Sequence, residues 1–214
     1  MKTQSLEAPG REGASAGAVL LWCLLAAGIV APLLLLEPPE GRGLEFWNPD
    51  GALRLLVDLL LFTCIFLVGA FRTPRARPAA AWLLSTGVIL YTGVLGVVMI
   101  NYLVGLGAWP LVRLVSFVVL VAGGVGVWTF ALSERRGVYY SVASIAALGV
   151  PVVGFFCDEL FRIEARWLDV VSPFTAWRVV AAQGGGAWRA WVLFGAVLVS
   201  GAAATLIRRR GRRA

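Results

Sequence analysis

Residues 78–112 contain no charged side chain, and this stretch of 35 residues constrains the chain more than any other feature. One membrane-spanning helix needs about 20 apolar residues, so the stretch is too long for a single span. Residues 105–110 interrupt it with a glycine-rich turn, and Pro110 suits the first position of a following helix. The sequence therefore predicts two spans here, joined by a tight turn.

The rest of the chain has the composition of a membrane protein. Of its 214 residues, 59% are hydrophobic and 14% are charged, whereas soluble domains are about 45–50% apolar and about 25% charged. We predict an all-α fold, a polytopic membrane protein with six transmembrane helices at residues 18–36, 52–71, 79–104, 111–132, 137–157 and 190–207. They form one domain, residues 16–207, after a short cytoplasmic segment, residues 1–15. The first helix is predicted to be an uncleaved span, because no small-residue cleavage site follows it.

The distribution of basic residues predicts how these spans are oriented. With the N-terminus inside, the inner segments hold twelve of the 19 Lys and Arg residues and the outer segments hold seven. This is the asymmetry that the positive-inside rule describes, and six of the nine tryptophans then fall at the outer boundary. Both termini are therefore predicted to be cytoplasmic. The basic tail, residues 208–214, is predicted to be an anchor on anionic lipid, with docking of a partner as the alternative.

The longest outer segment, residues 158–187, is predicted to form two short interfacial helices between the fifth and sixth spans. The first would be amphipathic and would carry one apolar face: Leu160, Ile163, Trp167 and Val170. The second begins at Ser172, a helix N-cap followed by Pro173, and carries Phe174 and Trp177 on one side. The segment either caps a transport path or connects two spans along the membrane surface.

A few polar side chains fall inside or near the outer ends of the predicted spans. Asp58 lies about two turns into the second span, and Arg54 precedes it by one turn, so an ion pair within the helix is available. Asn101 and Arg113 lie at a similar outer depth. Intramembrane ionisable residues are functional candidates by default, so these four residues are the transport-path candidates. The alternative is a shallow pair, Arg54 and Asp58, that reaches the interface.

Several kinds of chemistry are excluded or disfavoured. The chain contains no histidine, which excludes histidine-ligated metal or haem sites and serine–histidine–aspartate catalysis. Its three cysteines are isolated, and it contains no phosphate-binding loop, acid pair or nucleophile elbow. We therefore predict that the chain is not an enzyme, holds no metal or cofactor, and does not bind nucleic acid despite its net charge of +7.

From about residue 105 onward, the layout resembles the membrane subunit of ABC-2-type ABC transporters. Residues 107–110 (GAWP) open the fourth span, and residues 131–136 (ALSERR) match a small-residue stretch, a serine and a basic pair before the fifth. Residues 167–174 (WLDVVSPF) are similar to the turn before the last span of that family. The resemblance implies six spans, two cytoplasmic termini and two short outer helices. In the N-terminal half, residues 71–78 depart from the family's acidic coupling segment.

The resemblance also implies a function and a set of partners. The chain would line a translocation path in a bacterial cytoplasmic (inner) membrane, as a homodimer or with a second permease subunit, and would rely on a separate P-loop ATPase. The residues predicted to dock that ATPase lie in two inner loops: Arg72, Arg75, Arg77, Glu134, Arg135 and Arg136. The alternative is a non-catalytic structural or assembly subunit of a larger membrane complex. A secondary transporter or channel that depends on Asp58 is a third option.

Overall fold

The computed structural model describes residues 20–28, 49–67, 78–105, 107–132, 135–163, 167–182 and 186–211. These residues are almost entirely helical and contain no strand, which confirms the predicted all-α fold. The helices in chain order are α1 (residues 20–28), α2 (Pro49–Phe62, continued by a π-turn, Thr63–Leu67), α3 (Pro78–Val104), α4 (Ala108–Ala131), α5 (Arg136–Ser144, a π-turn Ile145–Gly149, and Val150–Glu159), α6 (Leu168–Val171), α7 (Pro173–Ala181) and α8 (Ala187–Gly211).

The predicted break at the glycine-rich turn is confirmed as a break between two helices, α3 and α4. Gly105 and Gly107 both have positive φ angles, 69° and 82°, which glycine adopts without steric cost. Helix α4 begins immediately afterwards at Ala108, so Pro110 is its third residue and not its first. The first turn of a helix tolerates proline because its N–H groups have no partner within the helix.

Helix α4 packs most extensively against α8, and the two helices run parallel. The Trp128 indole Nε1 donates a hydrogen bond to the Val197 carbonyl (2.9 Å). One turn further along α8, an ideal Cβ on Gly201 would lie 2.9 Å from the Trp128 ring, so only glycine admits this close contact. At the same end, Arg208 donates to the carbonyl of Ala131 (2.7 Å), in the last turn of α4. Arg208 therefore belongs to α8 and caps α4, whereas we predicted it as the first residue of a free tail.

Helices α2 and α3 form a second closely packed pair. One face of α2 is completely buried, through Leu56, Val57, Leu60 and Leu61. An ideal Cβ on Gly93 of α3 would lie 2.7 Å from a terminal methyl of Leu60, so the glycine leaves room for this buried side chain. Helix α1 joins this pair through Trp22, whose indole donates to the Thr92 hydroxyl (2.7 Å).

The helix ends group at two ends of the bundle. The Tyr139 hydroxyl, near the start of α5, donates to the Ile65 carbonyl (2.8 Å) near the end of α2. Since α4 leads directly into α5 and its end is capped by Arg208, the ends of α2, α4 and α8 share one side of the bundle with the start of α5. The turn at Gly105 lies at the opposite side.

Three helices among the described residues are long and apolar enough to cross a membrane: Ala108–Ala131, Gly137–Glu159 and Ala187–Arg208. A shorter apolar stretch, Thr86–Tyr102, lies within α3. Helix α5 leaves most of its apolar side chains uncovered, among them Val142, Ile145 and Val152. Helices of this kind suggest a membrane protein, because a contiguous exposed apolar surface this large is unfavourable in water.

The prediction of the first interfacial helix is wrong over residues 160–163, which are not helical and directly follow the end of α5 at Glu159. Residues 164–166 lie outside the described residues, and Leu168–Val171 form the short helix α6. Arg162 has a φ of 52°, which is incompatible with a right-handed helix. The second predicted helix is confirmed as α7, which begins after Ser172.

Candidate functional site

Helices α6 and α7 turn back into the bundle after α5. Leu168, at the start of α6, lies 3.8 Å from an ideal Cβ on Gly154. Four residues later, the Ser172 hydroxyl donates to the carbonyl of Ala147 (3.0 Å). Gly154 and Ala147 are two turns apart on α5, about 10 Å along its axis. The segment therefore descends along α5 to roughly the middle of that helix before α7 begins.

Pro151 explains why a serine can bond to the middle of a helix. The carbonyl of Ala147 would ordinarily accept the N–H of the residue four positions later, but that residue is Pro151 and has no N–H. The π-turn Ile145–Gly149 lies directly before this proline. Ser172, which is completely buried, supplies a donor to the released carbonyl.

Ser172 also starts α7, as predicted. Its side chain accepts a hydrogen bond from the Phe174 N–H (3.3 Å), and Pro173 occupies the first position of the helix. Pro173 and Trp177 are buried and Phe174 packs against the core, whereas Trp167 is exposed. Of these residues, only Trp167 has the exposure of an interfacial side chain, because α7 packs against α4 and α8 inside the bundle.

Asp58 binds α7 and not its own helix. The Trp177 indole Nε1 donates to Oδ1 of Asp58 (2.8 Å), and Nη2 of Arg178 donates to Oδ2 (3.2 Å). We predicted an ion pair with Arg54, one turn away on α2, but the carboxylate's direct partners are the two α7 residues. Arg54 is exposed and acts on the carboxylate only through its charge.

The other two transport-path candidates lie elsewhere in the structure. Asn101 lies in the last turn of α3, and Arg113 is in the second turn of α4, where its Nε donates to the Trp109 carbonyl (3.2 Å). Oδ1 of Asn101 and Nη1 of Arg113 are buried and, within the described residues, have no hydrogen-bond partner. None of the hydrogen bonds in this part of the chain joins either residue to Asp58. Within the described residues, hydrogen bonds therefore do not link the four candidates to one another as a group.

The predicted docking residues are only partly described. Arg72, Arg75, Arg77 and Glu134 lie outside the described residues. Arg135 is exposed at the start of α5, and Arg136 is the first residue of that helix. The two described docking residues, Arg135 and Arg136, thus lie at the end of the bundle where α2, α4 and α8 end.

Three residues at this site were missed by sequence reasoning: Tyr139, Ala147 and Arg178. Arg178 carried a signal, since it is a lone charge next to Trp177 in an otherwise apolar segment. Ala147 could have been found from Pro151 by counting back four residues. Nothing in the sequence marks Tyr139, whose partner Ile65 is remote in the chain.

The arrangement is a hydrogen-bonded connection between helices. Ser172 fixes the start of α7 to α5, and Asp58 fixes the following turn to α2. No group of three or more potential metal-ligating side chains occurs among the described residues. No protein-family model, curated protein or solved structure matches this chain.

Proposed function

We propose that this chain is the membrane-spanning subunit of an ABC-type transporter, with six spans and both termini in the cytoplasm. It would line the translocation path and depend on a separate ATPase for ATP hydrolysis. The bacterial cytoplasmic membrane is its proposed location.

The arrangement of helix ends supports the proposed orientation. Arginines lie at the end of the bundle where α4 and α8 end, including Arg135, Arg208 and Arg210. Exposed tryptophans, Trp109 and Trp188, mark the starts of the same two helices at the other end. Basic residues on one side and aromatic residues on the other are the signature of a cytoplasmic and an outer boundary.

The observation that carries the transport proposal is the attachment of α7 to two different helices. Asp58 of α2 holds Trp177 and Arg178, while Ala147 of α5 holds Ser172. Helix α5 in turn contacts the π-turn of α2 through Tyr139, near the basic end of the bundle. A movement imposed on that end by an ATPase would reach the outer element α7 through α5.

The translocation path is proposed to lie between subunits. Among the described residues, the buried polar side chains are Thr63, Thr86 and Ser172, so the core of one chain is apolar. A polar substrate would need a path lined by a second copy or by a second permease subunit. The exposed apolar surface of α5 could pack against that second subunit.

The same apolar core favours one alternative, a non-catalytic structural or assembly subunit of a larger membrane complex. A tightly packed bundle that offers large exposed helix faces is what such a subunit needs. The two functions predict different binding partners in the cell: an ATPase for the transporter subunit, and other membrane subunits for the assembly subunit.

Affinity purification of the tagged full chain in mild detergent, followed by mass spectrometry, separates these two functions. A P-loop ATPase in stoichiometric amount would support the transporter subunit. Arg135→Glu should then reduce the recovered ATPase, whereas Arg189→Glu at the opposite end of the bundle should not. Recovery of other membrane subunits without an ATPase would overturn the transporter proposal in favour of assembly.

A further inference from the structure

Two guanidinium groups flank one carboxylate at Asp58. Arg178 pairs with this carboxylate at 3.2 Å, and its side chain is nevertheless 49% exposed. Arg54 lies one turn before Asp58 on α2, is exposed, and has no hydrogen bond or ion pair within the described part of the chain. The cluster therefore keeps one positive charge in excess, with donors of both arginines still available.

An exposed apolar stripe runs along α2 beside this cluster. Leu55 and Phe62 are 54% and 40% exposed, and Leu59 lies between them, half-buried. These residues follow the spacing of one helix face and extend for about 10 Å. Phe66 continues the stripe, with its ring centroid 4.9 Å from that of Phe62. Asp58 is three and four residues from Leu55 and Phe62, so the charged cluster and the stripe are neighbours.

A positive cluster beside an apolar stripe, with Arg54 directly before the first residue of the stripe, matches an amphiphile with an anionic head and an acyl chain. Arginine pairs with phosphate through two parallel N–H···O bonds, which makes phosphate the preferred anionic group. We propose that Arg54 and Arg178 bind the phosphate of one outer-leaflet phospholipid, whose acyl chain lies along Leu55, Leu59 and Phe62. This site rests on the membrane placement of α2 but does not require an ATPase.

Asp58 gives the site its selectivity. Both carboxylate oxygens are occupied by donors from α7, so the carboxylate positions Arg178 and offsets one of the two charges. A singly charged phosphodiester then neutralises the remaining charge. A lipid without a phosphate leaves this remaining positive charge without an anionic partner.

Native mass spectrometry of the purified full chain tests this site by titration with lipid. The probes are phosphatidylglycerol, diacylglycerol with the same acyl chains, and inorganic phosphate alone. We expect one phosphatidylglycerol to be retained more tightly than diacylglycerol, and a large excess of inorganic phosphate not to displace it. Arg54→Gln should weaken the binding of phosphatidylglycerol about tenfold, the order expected for losing one charge-assisted hydrogen bond.

Arg54→Gln is the informative variant because it leaves the pair between Asp58 and Arg178 intact. Its thermal midpoint without lipid should equal that of the unmodified chain. Arg189→Gln is the matched control, since Arg189 is also an exposed arginine at the outer end but lies over the Trp188 ring and away from Asp58. Unchanged affinity in Arg54→Gln, an equal loss in Arg189→Gln, or displacement of the lipid by phosphate alone would each overturn the site. Because the purified chain is used alone, absence of an ATPase partner would leave this result unaffected.

Discussion

Ser172 accepts one hydrogen bond and donates another, and the two have different origins. Its acceptor role follows from local sequence, because a serine before a proline is a common start of a helix. Its donor role follows from Pro151, which is remote in the sequence and releases the carbonyl of Ala147. The acceptor role could be predicted from the sequence, and we predicted it. The donor role depends on the segment that contains Ser172 packing against the middle of α5.

Removing the Ser172 hydroxyl should therefore cost more than losing a helix cap. Ser172→Ala removes the cap of α7 and leaves a buried carbonyl without its donor, so we expect a loss of about 1–3 kcal/mol in the free energy of unfolding. Thermal unfolding in detergent measures it. Ser200→Ala is the control, because Ser200 is exposed and bonds only within its own helix. Equal behaviour of the two variants would contradict the role given to Ser172.

The pair formed by Asp58 and Arg178 makes a separate prediction. If these side chains interact directly, the double variant Asp58→Asn with Arg178→Gln should be destabilised by less than the sum of the two single variants. For a partly exposed pair we expect a coupling of about 0.5–1 kcal/mol. Pairing Asp58→Asn with Arg54→Gln supplies the control, which should show a smaller coupling. A larger coupling energy between Asp58 and Arg54 would mean that the main partner of Asp58 lies on its own helix, α2, and would contradict the pair with Arg178.

At the scale of elements, glycines decide which helices approach closely. Packing between membrane helices relies on van der Waals contact, which small residues permit. Gly201 admits the Trp128 ring against α8, and Gly93 admits Leu60 against α3. Small residues in these helices were visible in the sequence, but which of them faced a large side chain was not.

Substitution of Gly201 should disturb the pair of α4 and α8. Gly201→Ala places a methyl group 2.9 Å from the Trp128 ring, so we expect a loss of about 1–3 kcal/mol through overpacking. Gly195→Ala in the same helix is the control, because no atom lies within 4 Å of its ideal Cβ. That variant should be neutral or slightly more stable, since alanine favours helix. Unfolding midpoints of both variants provide the comparison.

The wrong prediction at residues 160–163 also belongs to this scale. Apolar residues at helical spacing suggested an amphipathic helix, but Leu160 and Ile163 are exposed in a non-helical turn. Near a membrane, lipid as well as protein can accept apolar side chains. The spacing of apolar residues is therefore a weaker predictor of a helix at the membrane surface, because an extended loop there can also expose apolar side chains.

For the whole molecule, the proposed topology places the two ends of α4 on opposite sides of the membrane. In a cysteine-free background, with Cys23, Cys64 and Cys157 replaced, Ala108→Cys should react with a membrane-impermeant maleimide added to intact cells. Arg135→Cys should react only after the cells are permeabilised. Both positions are exposed in the structure. Reaction of Arg135→Cys in intact cells would reverse the topology.

The sequence by itself determined the helical fold class, the break at Gly105 and the start of α7. These features depend on properties read over a few residues: apolar length, the positive φ of glycine, and the fixed φ of proline. The partners of Asp58 and Ala147 were decided only by the tertiary structure. Trp177 and Arg178 lie on α7, and Ser172 directly precedes it. Their pairing with Asp58 and Ala147 depends on how far this segment descends along α5. No local preference encodes that depth, because it follows from the packing of α7 against helices from distant parts of the chain.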